Sequence, residues 1–234
     1  MMRLTSISVP AQLQRNDPEI VQAGIENGGE ALLQLVARRL GRTDLSGIDF
    51  LDVGCGVRFT QTIINRHVPI GSYTGVEVYR PIIDWLKEHV EREDDRFTFV
   101  HWDAHNPRYN SGRSARRMES FTTLPVEGTF DVIAGFSLFT HLAPGDTEQM
   151  MRLMRKAVRP GGHLFFSALC QDQTVETYKE AKPDRPGAEV HYGRSYLETI
   201  IAATGWELVS CEAPSFFIVD SFLCRPARDR STSA

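Results

Sequence analysis

Residues 50–60, Phe50-Leu51-Asp52-Val53-Gly54-Cys55-Gly56-Val57-Arg58-Phe59-Thr60, decide the fold. An apolar, strand-like run (Phe50, Leu51, Val53) meets a Gly-x-Gly turn, and apolar residues at helical spacing follow from Phe59. Glycines at such a junction leave main-chain amides and carbonyls bare where the strand stops. About twenty residues beyond Gly56, Glu77 stands near the end of a second strand-like stretch, Ser72–Val78, at the reach expected of an acceptor for ribose hydroxyls. Together these features predict a pocket for an adenosine cofactor.

The turn also says which adenosine. A dinucleotide fingerprint reads G-x-G-x-x-G, with the second glycine admitting a pyrophosphate and the third letting helix and strand pack closely. Here Val57, Arg58 and Phe59 follow Gly56, so no third glycine is present. S-adenosylmethionine carries no phosphate, and its ammonium and carboxylate need only a few main-chain partners and a nearby acid such as Asp52. On these residues the chain resembles the class I S-adenosylmethionine-dependent methyltransferases, from about Leu45 to Cys224. That family usually shows acid-x-Gly-x-Gly-x-Gly, and Arg58 occupies the position of its third glycine.

Strand-like and helix-like stretches alternate from Gly47 onward, the signature of a parallel sheet covered by helices. Strands are expected at Ile48–Val53, Ser72–Val78, Arg96–Trp102, Phe130–Phe136 and His163–Ala168. Helices are expected at Phe59–Val68, Pro81–Arg92 and Thr147–Val158, the last capped by Asp146 and stopped by Pro160-Gly161-Gly162. After a helix at Ser195–Thr204 ended by Gly205, the strands Glu207–Cys211 and Phe216–Cys224 are joined by only four residues, too few for a parallel crossover. The expected fold is α/β and Rossmann-like, a mostly parallel seven-stranded sheet with a reversed last strand and helices on both faces.

Outside that scheme lies an N-terminal helical cap segment, residues 1–44, with a helix at Glu30–Leu40 and an earlier one from Pro18 broken at Asn27-Gly28-Gly29. Residues 45–226 form the methyltransferase domain, and 227–234 a tail. Two insertions, 106–123 and 171–193, leave the sheet at the carboxyl ends of strands, where open α/β sheets bind ligands. They are expected to form the substrate side of the pocket.

The 234 residues carry a net charge of −4, which argues against a general nucleic-acid binder. Hydrophobic and charged fractions of 41% and 24% are those of an ordinary globule. No run is long and apolar enough to span a membrane, and Cys55, Cys170, Cys211 and Cys224 show neither paired nor metal-ligand spacing. A cytoplasmic location and no required metal are expected. Cys55 reads as a small buried residue of the loop rather than a reactive thiol.

The resemblance assigns further roles. Asp103, after the third strand, is implied to bond the adenine amino group, with Trp102 and Ala104 as pocket walls and Val78 beside Glu77. The exit of the fourth strand, where Phe136, Ser137 and Leu138 stand, is implied to lie beneath the transferred methyl group. With Asp52, Gly54, Cys55, Gly56, Glu77 and Phe136, these make the expected cofactor set. His141, just beyond, is a side chain able to take a proton near neutral pH, with His105 and His191 as rivals. Asn106-Pro107-Arg108-Tyr109 resembles the Asn-Pro-Pro-Tyr of amino-methylating enzymes but is displaced from the fourth-strand exit, so a turn is expected there. Arg108, Arg113, Arg116 and Arg117 suit an anionic acceptor group, although a solvated loop accounts for them more simply. The expected activity is methyl transfer to a small-molecule acceptor, an oxygen of a sugar, glycolipid or polyketide-like compound. Two rivals are a nicotinamide-dependent oxidoreductase, opposed by Arg58 and the terminal hairpin, and a non-catalytic cofactor-binding partner subunit, which only activity separates.

Overall fold

The computed structural model describes residues 3–14, 24–106, 109–112, 115–171, 176–182, 184–185, 187–213 and 219–228. They form two compact units, Met1–Asp103 and Ala104–Ala234.

The first unit contains α1 (Ile25–Arg39), β1 (Leu45–Val53), α2 (Arg58–Asn65), β2 (Ile70–Glu77), α3 (Arg80–Leu86) with a π-helical turn at Lys87–Glu91, and β3 (Phe97–His101). Parallel pairing places β2 between β1 and β3, with Val53 opposite Val76 and Glu77 opposite His101. Phe50 through Val53 are all buried, as a strand covered on both faces requires. Phe50 stacks on Tyr73 with ring centroids 6.0 Å apart and meets Phe59 edge-on at 6.1 Å, which ties the start of α2 to the strand before it.

Asn27-Gly28-Gly29 does not break the first helix, as the sequence suggests; α1 runs through it. A Cβ on Gly29 would lie 2.1 Å from Thr62 Oγ1 and 3.3 Å from Arg58 Cγ, so the glycine lets α1 press against α2. Glu26 reinforces the contact by accepting hydrogen bonds from Gln61, Asn65 and Arg66. The earlier helix expected from Pro18 lies outside the described residues.

The second unit contains β4 (Phe130–Gly135), α4 (Pro144–Ala157), β5 (Val158–Cys170), β6 (Tyr178–Glu180), β7 (Val190–Tyr192), α5 (Arg194–Ala203), β8 (Trp206–Glu212) and β9 (Asp220–Pro226). β4 and β5 are parallel, β9 runs antiparallel to β5, and β8 runs antiparallel to β9. β9 is therefore the reversed strand, as the short connection before it demands. Gly205, at φ +83°, ends α5 where expected.

Three details differ from the sequence expectations. α4 begins after Ala143 with Pro144 in its first turn, where a fixed φ and a missing N–H cost nothing, so Asp146 is not its N-cap. Pro160-Gly161-Gly162 lies inside β5 rather than before it, and the pairing register with β4 shifts across it, from Phe130–Val158 to Val132–His163. The insertion at 171–193 supplies two short strands, so nine rather than seven strands occur among the described residues. β7 pairs in parallel with the end of β5, Leu169 opposite His191, and β6 runs antiparallel to β7. Buried Tyr192 anchors this addition by donating a 2.6 Å hydrogen bond to the Leu142 carbonyl.

Candidate active site

In the first unit the parallel register lines up the carboxyl ends of β1, β2 and β3, and Asp52, Gly54, Cys55, Gly56, Glu77, Val78, Trp102 and Asp103 all lie there. The glycine turn folds back on β2, since the N–H groups of Gly54 and Cys55 both donate to the Val76 carbonyl, at 2.8 and 3.1 Å. Gly54 and Gly56 have φ of +76° and +48°, a region that favours glycine. Among the described residues, nothing lies within 4 Å of a Cβ built on Gly56, so the outer edge of the turn is open.

Glu77 locks this turn. Its Oε2 accepts from the Gly56 N–H at 3.2 Å, and its Oε1 accepts from the N–H groups of Val78 and Tyr79 at 2.8 and 3.0 Å. A carboxylate offers about four acceptor positions, so capacity remains on Oε2. Asp52 is buried and accepts a 2.7 Å hydrogen bond from the Tyr73 hydroxyl. Burial pushes its carboxyl up to about 7; the Tyr73 bond and the positive charge of Arg58 oppose the rise, and the negative charge of Glu77 adds to it.

Cys55 is buried in the turn. Burial, then the charges of Glu77 and Asp52, push its thiol upward, away from reactivity at neutral pH. Its sulfur fills space left by Gly75, where a Cβ would come within 2.8 Å of Sγ. Trp102 is buried and its main-chain N–H donates to the Glu77 carbonyl at 2.9 Å, whereas Asp103 beside it is exposed. His101 was not singled out from the sequence; its Nε2 lies 3.1 Å from the Val78 carbonyl and its Nδ1 3.0 Å from Arg80. A lone histidine at a strand end gives no signal of such a bridge.

Ala104, Phe136 and His141 belong to the second unit. Ala104 is buried and bridges to Arg116. Phe136 leaves β4 with its ring 5.1 Å from that of Phe165. Ser137 takes φ +55°, uncommon for a non-glycine residue, and donates its N–H to Ser167 Oγ at 2.9 Å. The chain then turns through a short 3-10 helix, Phe139–His141. Nδ1 of the half-buried His141 ring lies 3.1 Å from the Gly187 carbonyl and 3.0 Å from the Ala188 carbonyl. Carbonyls only accept, so Nδ1 carries the proton and the neutral ring keeps Nε2 as its basic nitrogen. Gly187 favours this approach: its φ is +71° and a Cβ on it would lie a tight 3.1 Å from the His141 carbonyl.

The rival histidines sit differently. His105 is exposed and near Asp146, whose carboxyl is raised first by partial burial and then by Glu119. His191 is buried, with Nε2 2.6 Å from Glu189 Oε1 and an Nδ1 that finds no partner among the described residues. Of the four arginines, Arg108 and Arg113 lie outside the described residues. Arg116 packs over the Phe121 ring at 4.5 Å and donates to the Ser120 carbonyl, and exposed Arg117 lies 3.8 Å from Glu119. Asn106 accepts from the N–H of Tyr109 on its side chain and from that of Asn110 on its carbonyl; the turn expected from the sequence has its two central residues, Pro107 and Arg108, outside the described residues. Among the described residues no group of side chains could hold a metal ion, and no helix is long and apolar enough to cross a membrane.

A family model described as a methyltransferase domain matches residues 25–211. A ubiquinone biosynthesis O-methyltransferase of Coxiella burnetii is 28% identical over 125 residues, which is 53% of this chain and 45% of that protein. The chain thus matches about half the length of this curated relative. The glycopeptide N-methyltransferase MtfA superposes with a TM-score of 0.59 at 13% identity, covering 85% of this chain and 90% of its own. Magnesium protoporphyrin IX methyltransferase from Synechocystis PCC 6803, with bound S-adenosylmethionine, gives 0.55 at 10% identity, covering 95% and 87%. Likeness at this level shows a shared fold. Since the family model spans most of the chain and takes in the glycine turn, Glu77 and the exit of β4, the protein belongs to the methyltransferase-domain family.

Proposed function

We propose that this enzyme transfers the methyl group of S-adenosylmethionine to a hydroxyl of a small-molecule acceptor, with His141 taking the hydroxyl proton. The observation that carries the proposal is the pair of carbonyls on His141 Nδ1, which leaves Nε2 as the basic nitrogen. The residues at the strand ends suit the donor: an open glycine turn, a buried acid in Asp52, and acceptor capacity on Glu77. When bound, the sulfonium supplies an already activated methyl group. The protein then has mainly to align the acceptor and remove a proton.

Asp52, when ionised, would hold the ammonium of the donor, Glu77 the ribose hydroxyls, and Asp103 the adenine amino group, with Val78, Trp102 and Ala104 as the residues that would border the base. Phe136 and Ser137, at the exit of β4, would border the transferred methyl group. His141 Nε2 would take the proton that the acceptor hydroxyl gives up as its oxygen gains the methyl group released by the donor's sulfur. Both insertions serve acceptor recognition, which fits a sugar, glycolipid or polyketide-like substrate, and the O-methyltransferase relative supports oxygen as the target.

The test is steady-state kinetics on a hydroxylated acceptor. His141→Ala should lower kcat by about 10²–10⁴-fold while S-adenosylhomocysteine affinity is kept, and His141→Gln should fare little better, because an amide is no base at neutral pH. Near-normal turnover in His141→Gln would remove the base role.

A further inference from the structure

We infer that Arg58, which stands where the family's loop has its third glycine, binds the carboxylate of the cofactor's methionyl tail. The inference rests on S-adenosylmethionine being the donor. Arg58 is the first residue of α2, directly after the open turn formed by Gly54 to Val57. Its stem has a prepared seat: Gly29 of α1 lacks the Cβ that would stand 3.3 Å from Arg58 Cγ. A stem held between two helices restricts where the guanidinium can go.

Asp52 precedes the glycine turn at the end of β1 and Arg58 follows it at the start of α2, and their charges act on each other. The charge of Arg58 draws the Asp52 carboxyl down, and the charge of Asp52 draws the guanidinium up, against the larger effect of burial on each. Asp52 is the last residue but one of β1, so the two charges flank the glycine turn. An amino-acid tail carries one positive and one negative group, and the Asp52–Arg58 pair offers one of each in return. The guanidinium has five N–H donors in a planar fork, enough to face Asp52 and a second carboxylate together. A loop glycine would offer only its main chain here; Arg58 adds a charged side chain whose fork suits a carboxylate.

Titration calorimetry with two ligands isolates the contact. S-adenosylhomocysteine has the amino-acid tail, and 5′-methylthioadenosine has the same adenosine and thioether sulfur without it. Arg58→Met, which keeps an unbranched stem against Gly29, should weaken S-adenosylhomocysteine by about 10- to 100-fold and change 5′-methylthioadenosine less than about twofold. Arg58→Lys should fall between, keeping charge but losing the fork. Equal losses for both ligands, or no loss for either, would overturn the assignment while leaving the donor in place. If the unaltered protein binds neither ligand, the donor reading falls and the role of Arg58 with it.

Discussion

In the proposed role, Asp52 would serve binding at the expense of folding. Its carboxyl titrates at about 7 in the folded chain, against roughly 3.9 when unfolded. The folded state therefore holds an extra proton between these values. The stability tied to that proton is complete below about pH 4 and is lost as pH rises to 7, a cost of roughly 4 kcal/mol. Asp52→Asn should accordingly raise the melting temperature at pH 8 more than at pH 5. It should also weaken S-adenosylhomocysteine, because the ammonium loses its counter-charge. A fall in melting temperature at both pH values would show that Asp52 stabilises the turn. In the unaltered protein, S-adenosylhomocysteine affinity should increase as pH rises from 6 to 8, since an ionised Asp52 is the binding form. Flat affinity over that range would separate Asp52 from the ammonium. The acid was legible from its place before the glycines, but its burial against Tyr73 depends on register between strands 21 residues apart in sequence.

At the scale of elements, two glycines carry opposite lessons for reading a chain. Gly205 ends a helix, as a glycine after an apolar-periodic run suggests. Gly29 looks the same in sequence yet lies inside α1, because what it lacks is filled by Thr62 and Arg58 of another helix. Periodicity reports one element's own face and says nothing of the neighbour's approach. Gly29→Ala should destabilise the fold by about 1–3 kcal/mol in a denaturant titration, although alanine is the better helix former. A gain in stability would mean that the two helices can separate without cost. Gly187→Ala should act on chemistry instead. With φ at +71° and the His141 carbonyl 3.1 Å from a new Cβ, the carbonyls on Nδ1 must shift. The kcat pH profile should change while S-adenosylhomocysteine affinity stays the same; an unaltered profile would make Gly187 a turn residue only.

For the whole molecule, the reversed strand β9 was legible because a short link forbids a parallel crossover, a constraint of chain length alone. The alternation of strands and helices was equally plain. β6 and β7 were not, since three-residue strands in a proline-bearing insertion have no periodicity to detect, and β7 exists through pairing with β5. The same holds for the site: Asp52, the glycines and Glu77 lie in local patterns, whereas the link of His141 to the carbonyls of Gly187 and Ala188 joins residues more than forty positions apart. The central claim is transfer of a methyl group from S-adenosylmethionine to a small-molecule hydroxyl. Its most direct test is mass spectrometry of hydroxylated sugars, glycolipids and polyketide-like compounds incubated with the protein and S-adenosylmethionine bearing a deuterated methyl. The expected product carries that label as a methyl ether, formed by the unaltered protein and lost with His141→Ala. Label found only on nitrogen or carbon, or none transferred to any acceptor while S-adenosylhomocysteine binds, would contradict it.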